Sequence, residues 1–377
     1  MSHMKEIDLV YRTMFAELTQ RCLDASFQAD FPLDGWFSEV PVKGKKYWYF
    51  DRRNEGRLVR KYVGPQGDPE LDRRVAAFRE IKDDTKARRK LVATLTREAG
   101  LPAPERFTGD IVEALGAGGL FRLRGVLVGT VAFQCYSGML GIRLPSASMQ
   151  TGDADFAQFH SVSAAVDDTL PPVLELLQGL DPSFREIPHQ ADSRRSTAFE
   201  NKSRYRVEFL TPNRGSDDHE GQPAAMPALG GASAQPLRFL DFLIREPVRC
   251  ALLHRSGSIV TVPAPERYAV HKLIVSSRRK SDALGRLKRE KDVRQADLLI
   301  EALAITRRQA DLATAFSEAW NRGSGWRDAL SSGMTYLSPE RAKLARETLA
   351  EGLRDIGGNP EEFGTGKPAA TAPADTL

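Results

Sequence analysis

The stretch that decides the fold reads Val126-Leu127-Val128-Gly129-Thr130, and 22 residues separate its end from a second segment, Asp153-Ala154-Asp155-Phe156. The first is a short apolar strand ending in a glycine and a hydroxyl residue. Such a turn lets backbone amides approach a phosphate closely, and the run Val131 to Tyr136 behind it reads as a helix. The second is an Asp-x-Asp on a strand, where alternation puts positions 153 and 155 on one face. Two carboxylates side by side repel each other unless a divalent cation lies between them, and hard oxygen ligands of this kind suit Mg²⁺ or Mn²⁺. A third acid, Glu208, sits in Tyr205-Arg206-Val207-Glu208-Phe209-Leu210. A carboxylate between Val and Phe is costly to bury without a partner. That partner is either a cation shared with Asp153 and Asp155 or an arginine on a half-exposed strand.

Working outward, residues 105–263 alternate short apolar strands with helices, the texture of a mixed α/β core. Strands are predicted over Met149–Phe156, Tyr205–Leu210, Ala251–Leu253 and Ser258–Val262. The Gly-, Pro- and Ala-rich stretch 212–236 reads as a mobile insertion. Upstream, residues 4–104 open with a helix over 5–23 whose predicted apolar face is Ile7, Val10, Met14, Leu18 and Cys22. A β-hairpin follows over 41–64, turning at Asn54-Glu55-Gly56, and then a charged helix over 69–98. Downstream, 264–363 reads as a helical domain. One of its helices starts at Ser338-Pro339, with the N-cap and first-turn proline in their preferred places. The tail 364–377 has the composition of a disordered segment, and Met1-Ser2-His3-Met4 reads as a cloning scar.

Charge is uneven along the 377 residues: the net value is +4, but 43–64 holds eight Lys/Arg against two acids and 278–294 holds eight against three. Local basicity of this kind is the footprint of a phosphate-bearing partner or simply a solvated face. The hairpin adds Tyr47-Trp48-Tyr49-Phe50 to its arginines. Arg52, Arg53 and Arg57 could therefore neutralise RNA or tRNA phosphates while Trp48 or Tyr47 stacks on a base. In the other view, the hairpin is a flap whose aromatics pack on the core.

Other classes fall away. Mean hydropathy is −0.38 and no apolar run approaches the ~18 residues of a membrane span. The N-terminus lacks a signal pattern, so a cytoplasmic protein is expected. Three widely spaced cysteines argue against a disulfide framework. There is no Gly-x₄-Gly-Lys-Ser/Thr loop, no Rossmann glycine spacing and no Gly-x-Ser-x-Gly elbow. His160 and His189 have no paired metal-ligand spacing and read as polar fillers.

The strand–glycine turn–helix, the Asp-x-Asp strand and the later acid together resemble the polymerase-β nucleotidyltransferase superfamily. Within it they look like a bacterial group with Val-Gly-Thr (here Val128-Gly129-Thr130), Asp-x-Asp-Phe (Asp153 to Phe156) and an acid before Phe-Leu-Thr-Pro (Glu208 to Pro212). The resemblance covers roughly 105–300. Thr130 stands where the superfamily commonly has Ser or Gly, and Glu208 where Asp is commoner; hydroxyl and carboxylate are both kept. A second likeness, to abortive-infection and toxin-type members, lies in the helix Pro265 to Leu273 with Lys272 and the later pair Lys291-Asp292.

The resemblance implies an α+β nucleotidyltransferase core with a short mixed sheet. It implies an enzyme that moves a nucleoside monophosphate (NMP) from a nucleoside triphosphate (NTP) to an acceptor hydroxyl and releases pyrophosphate. Asp153, Asp155 and Glu208 would then hold the metal, Gly129 and Thr130 the phosphates, and Lys272 a further phosphate. Lys291 and Asp292 would serve as phosphate contact and active-site anchor, or form an ion pair within a charged helix. The acceptor would be RNA or tRNA, a protein or a small molecule, with RNA modification or a toxin–antitoxin role as the setting. The rival expectation is a degenerate transferase fold that binds nucleic acid and consumes no NTP.

Overall fold

The computed structural model describes residues 4–26, 34–42, 45–54, 57–145, 152–165, 168–213 and 221–365. Helix α1 (Leu9–Ser26) is followed by an antiparallel sheet of β1 (Trp36–Val42), β2 (Lys45–Asn54) and β3 (Arg57–Pro65), and then by the long helix α2 (Pro69–Arg97). The expected hairpin is thus present as β2 and β3, with β1 added along its free edge. Glu55 and Gly56 of its turn lie outside the described residues. The aromatic run behaves as a strand must, with alternate residues on opposite faces. Trp48 and Phe50 are buried with Phe37 against Val75 and Phe78 of α2, and the Trp48 indole N–H donates to Asp72 at 2.7 Å. Two expectations need correction here. Trp48 is not available to stack on a base, and the hairpin's aromatics form a small core with α2 instead of packing on the main one.

α1 belongs to the main core through Phe15, Leu18 and Cys22. Its predicted face is rotated: Val10 is 64% exposed, and Phe15 takes the inward position. After α3 (Arg106–Ala117) comes β4 (Val126–Val128), which feeds α4 (Gly129–Leu140). β5 (Asp153–Ala157), the short helices α5 (His160–Ala165) and α6 (Val173–Gln178), β6 (Arg185–Pro188), β7 (Ser196–Glu200) and β8 (Arg206–Pro212) follow. β9 (Ala224–Ala225), β10 (Ser233–Leu237), α7 (Leu240–Leu243), β11 (Val248–Leu252) and β12 (Ser258–Val262) complete the α/β part.

Seven of these strands form one mixed sheet in the order β4-β5-β8-β10-β9, with β6 and β7 branching from β8. β4 runs antiparallel to β5, while β5 and β8 are parallel. The stretch read as a mobile insertion is partly sheet, because β10 pairs in parallel with the end of β8, Gln235 against Leu210. Its small residues misled the composition reading: Ala232, Ser233 and Ala234 are buried, as a strand pressed between neighbours requires. Residues 214–220 of that stretch lie outside the described residues, as do 146–151 ahead of β5 and 366–377 at the tail.

The helical part comprises α8 (Pro265–Arg278), α9 (Ala283–Ile305), α10 (Gln309–Asn321), α11 (Ser324–Thr335) and α12 (Pro339–Asp355). Side-chain caps start two of them. Asp282 accepts from the Gly285 amide at 2.6 Å, and Ser338 accepts from the Arg341 amide at 3.4 Å. All three cysteines are free thiols. No helix among the described residues is long and apolar enough to cross a membrane.

Candidate active site

The strand-to-helix turn fixes the centre of the site. Gly129 has φ +65°, a left-handed value that suits glycine. A Cβ built on it would stand 2.5 Å from Asp155 Oδ2, so glycine is needed both for the turn and for the approach of the carboxylate. α4 begins there with Val128 as its N-cap and no side-chain cap. The N-cap side chain therefore satisfies none of its first-turn amides. Thr130, one residue on, is buried.

The sheet brings the three acids together. Asp155 is flanked in register by Val128 of β4 on one side and Glu208 of β8 on the other. Asp153 is exposed at the start of β5, opposite Arg206. The Arg206 guanidinium lies 3.1 Å from Glu208, so the arginine weighed as Glu208's partner is present. Burial first, and then the Asp153 and Glu208 charges, push the Asp155 carboxyl up to about 7, with Lys272 and Lys288 working the other way. The negative charge here is thus only partly met by the protein, and the donors are hard oxygens. In charge and donor type the three carboxylates fit Mg²⁺ or Mn²⁺.

The basic side is built by α8 and α9. The Tyr268 hydroxyl donates to the Gly129 carbonyl at 2.9 Å and lies 3.0 Å from Gln295 Oε1, tying both helices to the glycine turn. Lys272, one turn after Tyr268, lies 2.6 Å from buried Asp292, and Arg279 contacts the other Asp292 oxygen at 2.7 Å. Burial works against the Lys272 charge, but Tyr268 and Asp292 outweigh it and hold the ammonium above the usual lysine range. Burial likewise opposes the Asp292 charge, and Lys272 and Arg279 keep its carboxyl below the usual range. Asp292 therefore anchors two cations. Lys291 is half-buried; burial lowers its ammonium, while the Asp153 and Asp155 charges support it. His271 beside Lys272 is buried and pushed down to about 3, chiefly by burial.

Arg52, Arg53 and Arg57 are exposed on β2 and β3, with Arg52 held by Asp34 at 2.7 Å. The sequence reading missed Tyr268, Arg206, Arg279 and Lys288. Two of these carried a visible signal. Arg206 is two residues before Glu208 and shares its strand face, and Tyr268 is four before Lys272 on one helix.

A second constellation was also missed. Asp110, Glu113 and His254 bring one ligand atom each within 4.8 Å of the others, the one such trio of His, Cys, Asp or Glu among the described residues. These groups could hold a cation, but Arg255 already contacts Asp110 at 2.6 Å and Glu113 at 3.2 Å. As a trio, Asp153, Asp155 and Glu208 are more widely spread.

A mixed α/β sheet with a glycine turn against clustered carboxylates, backed by a helical part, defines a nucleotidyltransferase-type architecture. A family model described as nucleotidyltransferase matches residues 106–321, from the start of α3 to the end of α10. This is more than half of the chain and includes the glycine turn, the three acids, Lys272, Lys291 and Asp292. The chain belongs to this nucleotidyltransferase family. No curated protein and no solved structure matches it.

Proposed function

We propose that the protein is a polymerase-β-like nucleotidyltransferase whose reaction is centred on Asp153, Asp155 and Glu208. It would move an NMP from an NTP to an acceptor hydroxyl. The observation that carries this reading is the in-register pair Asp155–Glu208 beside Gly129, with Asp155 pushed up to about 7 by burial and by the other two acids. A site that accumulates carboxylates at a cost is organised around something positive that it binds.

Asp153 and Asp155 would hold one divalent cation, and Asp155 and Glu208 a second; this division suits a trio spread beyond a single centre. Bound there, Mg²⁺ or Mn²⁺ would neutralise the phosphates and acidify the acceptor hydroxyl. The protein's own share is positioning, which dominates phosphoryl-transfer catalysis. The first-turn amides of α4, with Gly129 and Thr130, cradle phosphate oxygens. Lys291 adds charge from α9. Lys272 is held by Asp292 of α9, and Tyr268 keeps α8 against the glycine turn, so the pull of Lys272 on the phosphates acts from a fixed place. In this proposal the division at about 104 and 263 separates a basic N-terminal region, the carboxylate-bearing core and the helices that close the basic side.

The test is a thermal-shift titration with each NTP, with and without Mg²⁺. Metal-dependent stabilisation by mass action, about 2.7 kcal/mol at a hundredfold excess over Kd, is expected for at least one NTP. No shift with any NTP in the presence of metal favours the degenerate, nucleic-acid-binding fold.

A further inference from the structure

Beyond Glu208 the sheet forks. The outer edge of β8 is covered by β7 as far as Glu208, paired with Ala198, and by β10 from Leu210 onward, paired with Gln235. A cleft of about 470 Å³ opens at this fork, with Glu208 and Arg206 on one wall and Thr197, His189, Gln190 and Gln235 among its other lining residues. The side chains across the fork are fixed. The Ala191 amide donates to His189 Nδ1 at 3.1 Å, which leaves the proton on Nε2, and that nitrogen lies 2.6 Å from Gln235 Oε1.

We infer that this cleft receives the acceptor, and that the acceptor is an uncharged, hydroxyl-bearing small molecule rather than a polynucleotide. The inference rests on the nucleotidyl-transfer reading above. Three observations carry it. First, the lysines whose charge bears on the acids, Lys272, Lys288 and Lys291, come from α8 and α9. α8 is tied to the Gly129 turn, and Arg206 on the other side is already paired with Glu208. The triphosphate is therefore assigned to that side of Asp155. In-line displacement requires the attacking oxygen to enter opposite the departing pyrophosphate, which is the Glu208 side. Second, the volume falls within the roughly 300–1,000 Å³ of small-molecule sites. Third, Arg206 is the one Lys or Arg among the described residues lining the cleft, and it is paired with Glu208. The rest of the described lining is uncharged, with Ile187, Ala198 and Phe209 beside the hydrogen-bonding Thr197, His189, Gln190 and Gln235. The described residues therefore offer a hydroxyl-bearing molecule polar partners and an apolar wall, and offer a phosphate backbone no further cation. In the reaction the acceptor oxygen forms a bond to the α-phosphorus and the α–β bridging P–O bond breaks. Pyrophosphate leaves with that electron pair, and the hydroxyl proton passes to Glu208 or solvent.

The test incubates the full-length protein with α-labelled NTP and Mg²⁺. The acceptor source is either the dialysable small-molecule fraction of a cell extract or total RNA. Labelled product of low mass from the first mixture is expected. Ala191→Trp, which places an indole at the exposed rim of the cleft, should lower the ratio of labelled small product to hydrolysed NTP at least about tenfold, in line with the 10–200-fold that misfit in a pocket commonly costs. Gln190→Trp repeats the block from the neighbouring position should the first variant be unstable. Three results overturn the inference while leaving the parent reading intact: label only in RNA, NTP consumption with no small product, or a ratio unchanged in both variants. No NTP consumption by the wild type in any mixture defeats the parent reading itself.

Discussion

Asp155 and Glu208 stand in register on adjacent parallel strands, β5 and β8. Residues paired in this way point to the same side of a sheet, so the two carboxylates share one face at the point where Gly129 leaves no room for a side chain. Glycine, the Asp-x-Asp strand and the third acid are thus one device. The glycine admits Asp155, and the parallel pairing sets Glu208 against it.

The Asp155 carboxyl titrates near 7, raised by burial and by its two acidic neighbours. The folded protein therefore keeps a proton that the unfolded chain gives up at about pH 4, and stability falls as pH rises through about 4 to 7. Without divalent cations, Asp155→Asn should stabilise the protein at about pH 8 by roughly 1–2 kcal/mol, after discounting for partial solvent access, and should have little effect near pH 4. Thermal melts at the two pH values decide it. A destabilised Asn variant at the higher pH contradicts the charge-crowding account.

Gly129→Ala should cost about 1–3 kcal/mol and impair NTP turnover, because it combines a left-handed backbone with a Cβ set against Asp155. Gly152→Ala makes the control, since a Cβ there meets nothing within 4 Å; about 0.5 kcal/mol or less is expected. Equal effects in denaturant melts would dissociate the glycine from the site.

Asp292 is buried between Lys272 and Arg279. Asp292→Asn leaves two cations facing a neutral amide, which should destabilise the protein by about 3–5 kcal/mol. Lys291→Met should cost clearly less stability than Asp292→Asn and instead raise the KM for NTP. If the Lys291 variant behaves like the Asp292 variant, both residues are structural and the phosphate contact lies elsewhere.

Charge reversal at Arg52, Arg53 and Arg57 should leave NTP turnover unchanged, since these exposed residues belong to the small β1–β3 sheet. Three lost phosphate contacts to a single strand would flatten the slope of log K for tRNA against log salt by about two units. A mobility-shift series across salt measures the slope. No change in slope or affinity removes this sheet as an RNA-contacting surface.

The core of the fold was legible because its signals are local. An apolar run ending in glycine, an Asp-x-Asp and an isolated acid each state their own backbone geometry, and their order implied the sheet. The fork at β8 was not legible. β7 and β10 are short, and β10 is written in small residues and proline, so its strand character comes from its neighbours and not from propensity. The same limit hid Arg255 on Asp110 and Glu113, partners more than a hundred residues apart in sequence. The role of Trp48 was misread for a related reason: alternation shows that one face of β2 must be covered, but not that α2 covers it.

The central claim is that Asp153, Asp155 and Glu208 carry metal-dependent NMP transfer. Pyrophosphate release from each NTP, measured with and without Mg²⁺ or Mn²⁺ in the wild type and in Asp153→Asn, Asp155→Asn and Glu208→Gln, addresses it most directly. The expected result is release by the wild type only with a divalent cation and a loss of at least about a hundredfold in each variant, with melting temperatures unchanged or raised in the two Asn variants. Wild-type turnover in Asp155→Asn, or release that is indifferent to metal, would contradict the account.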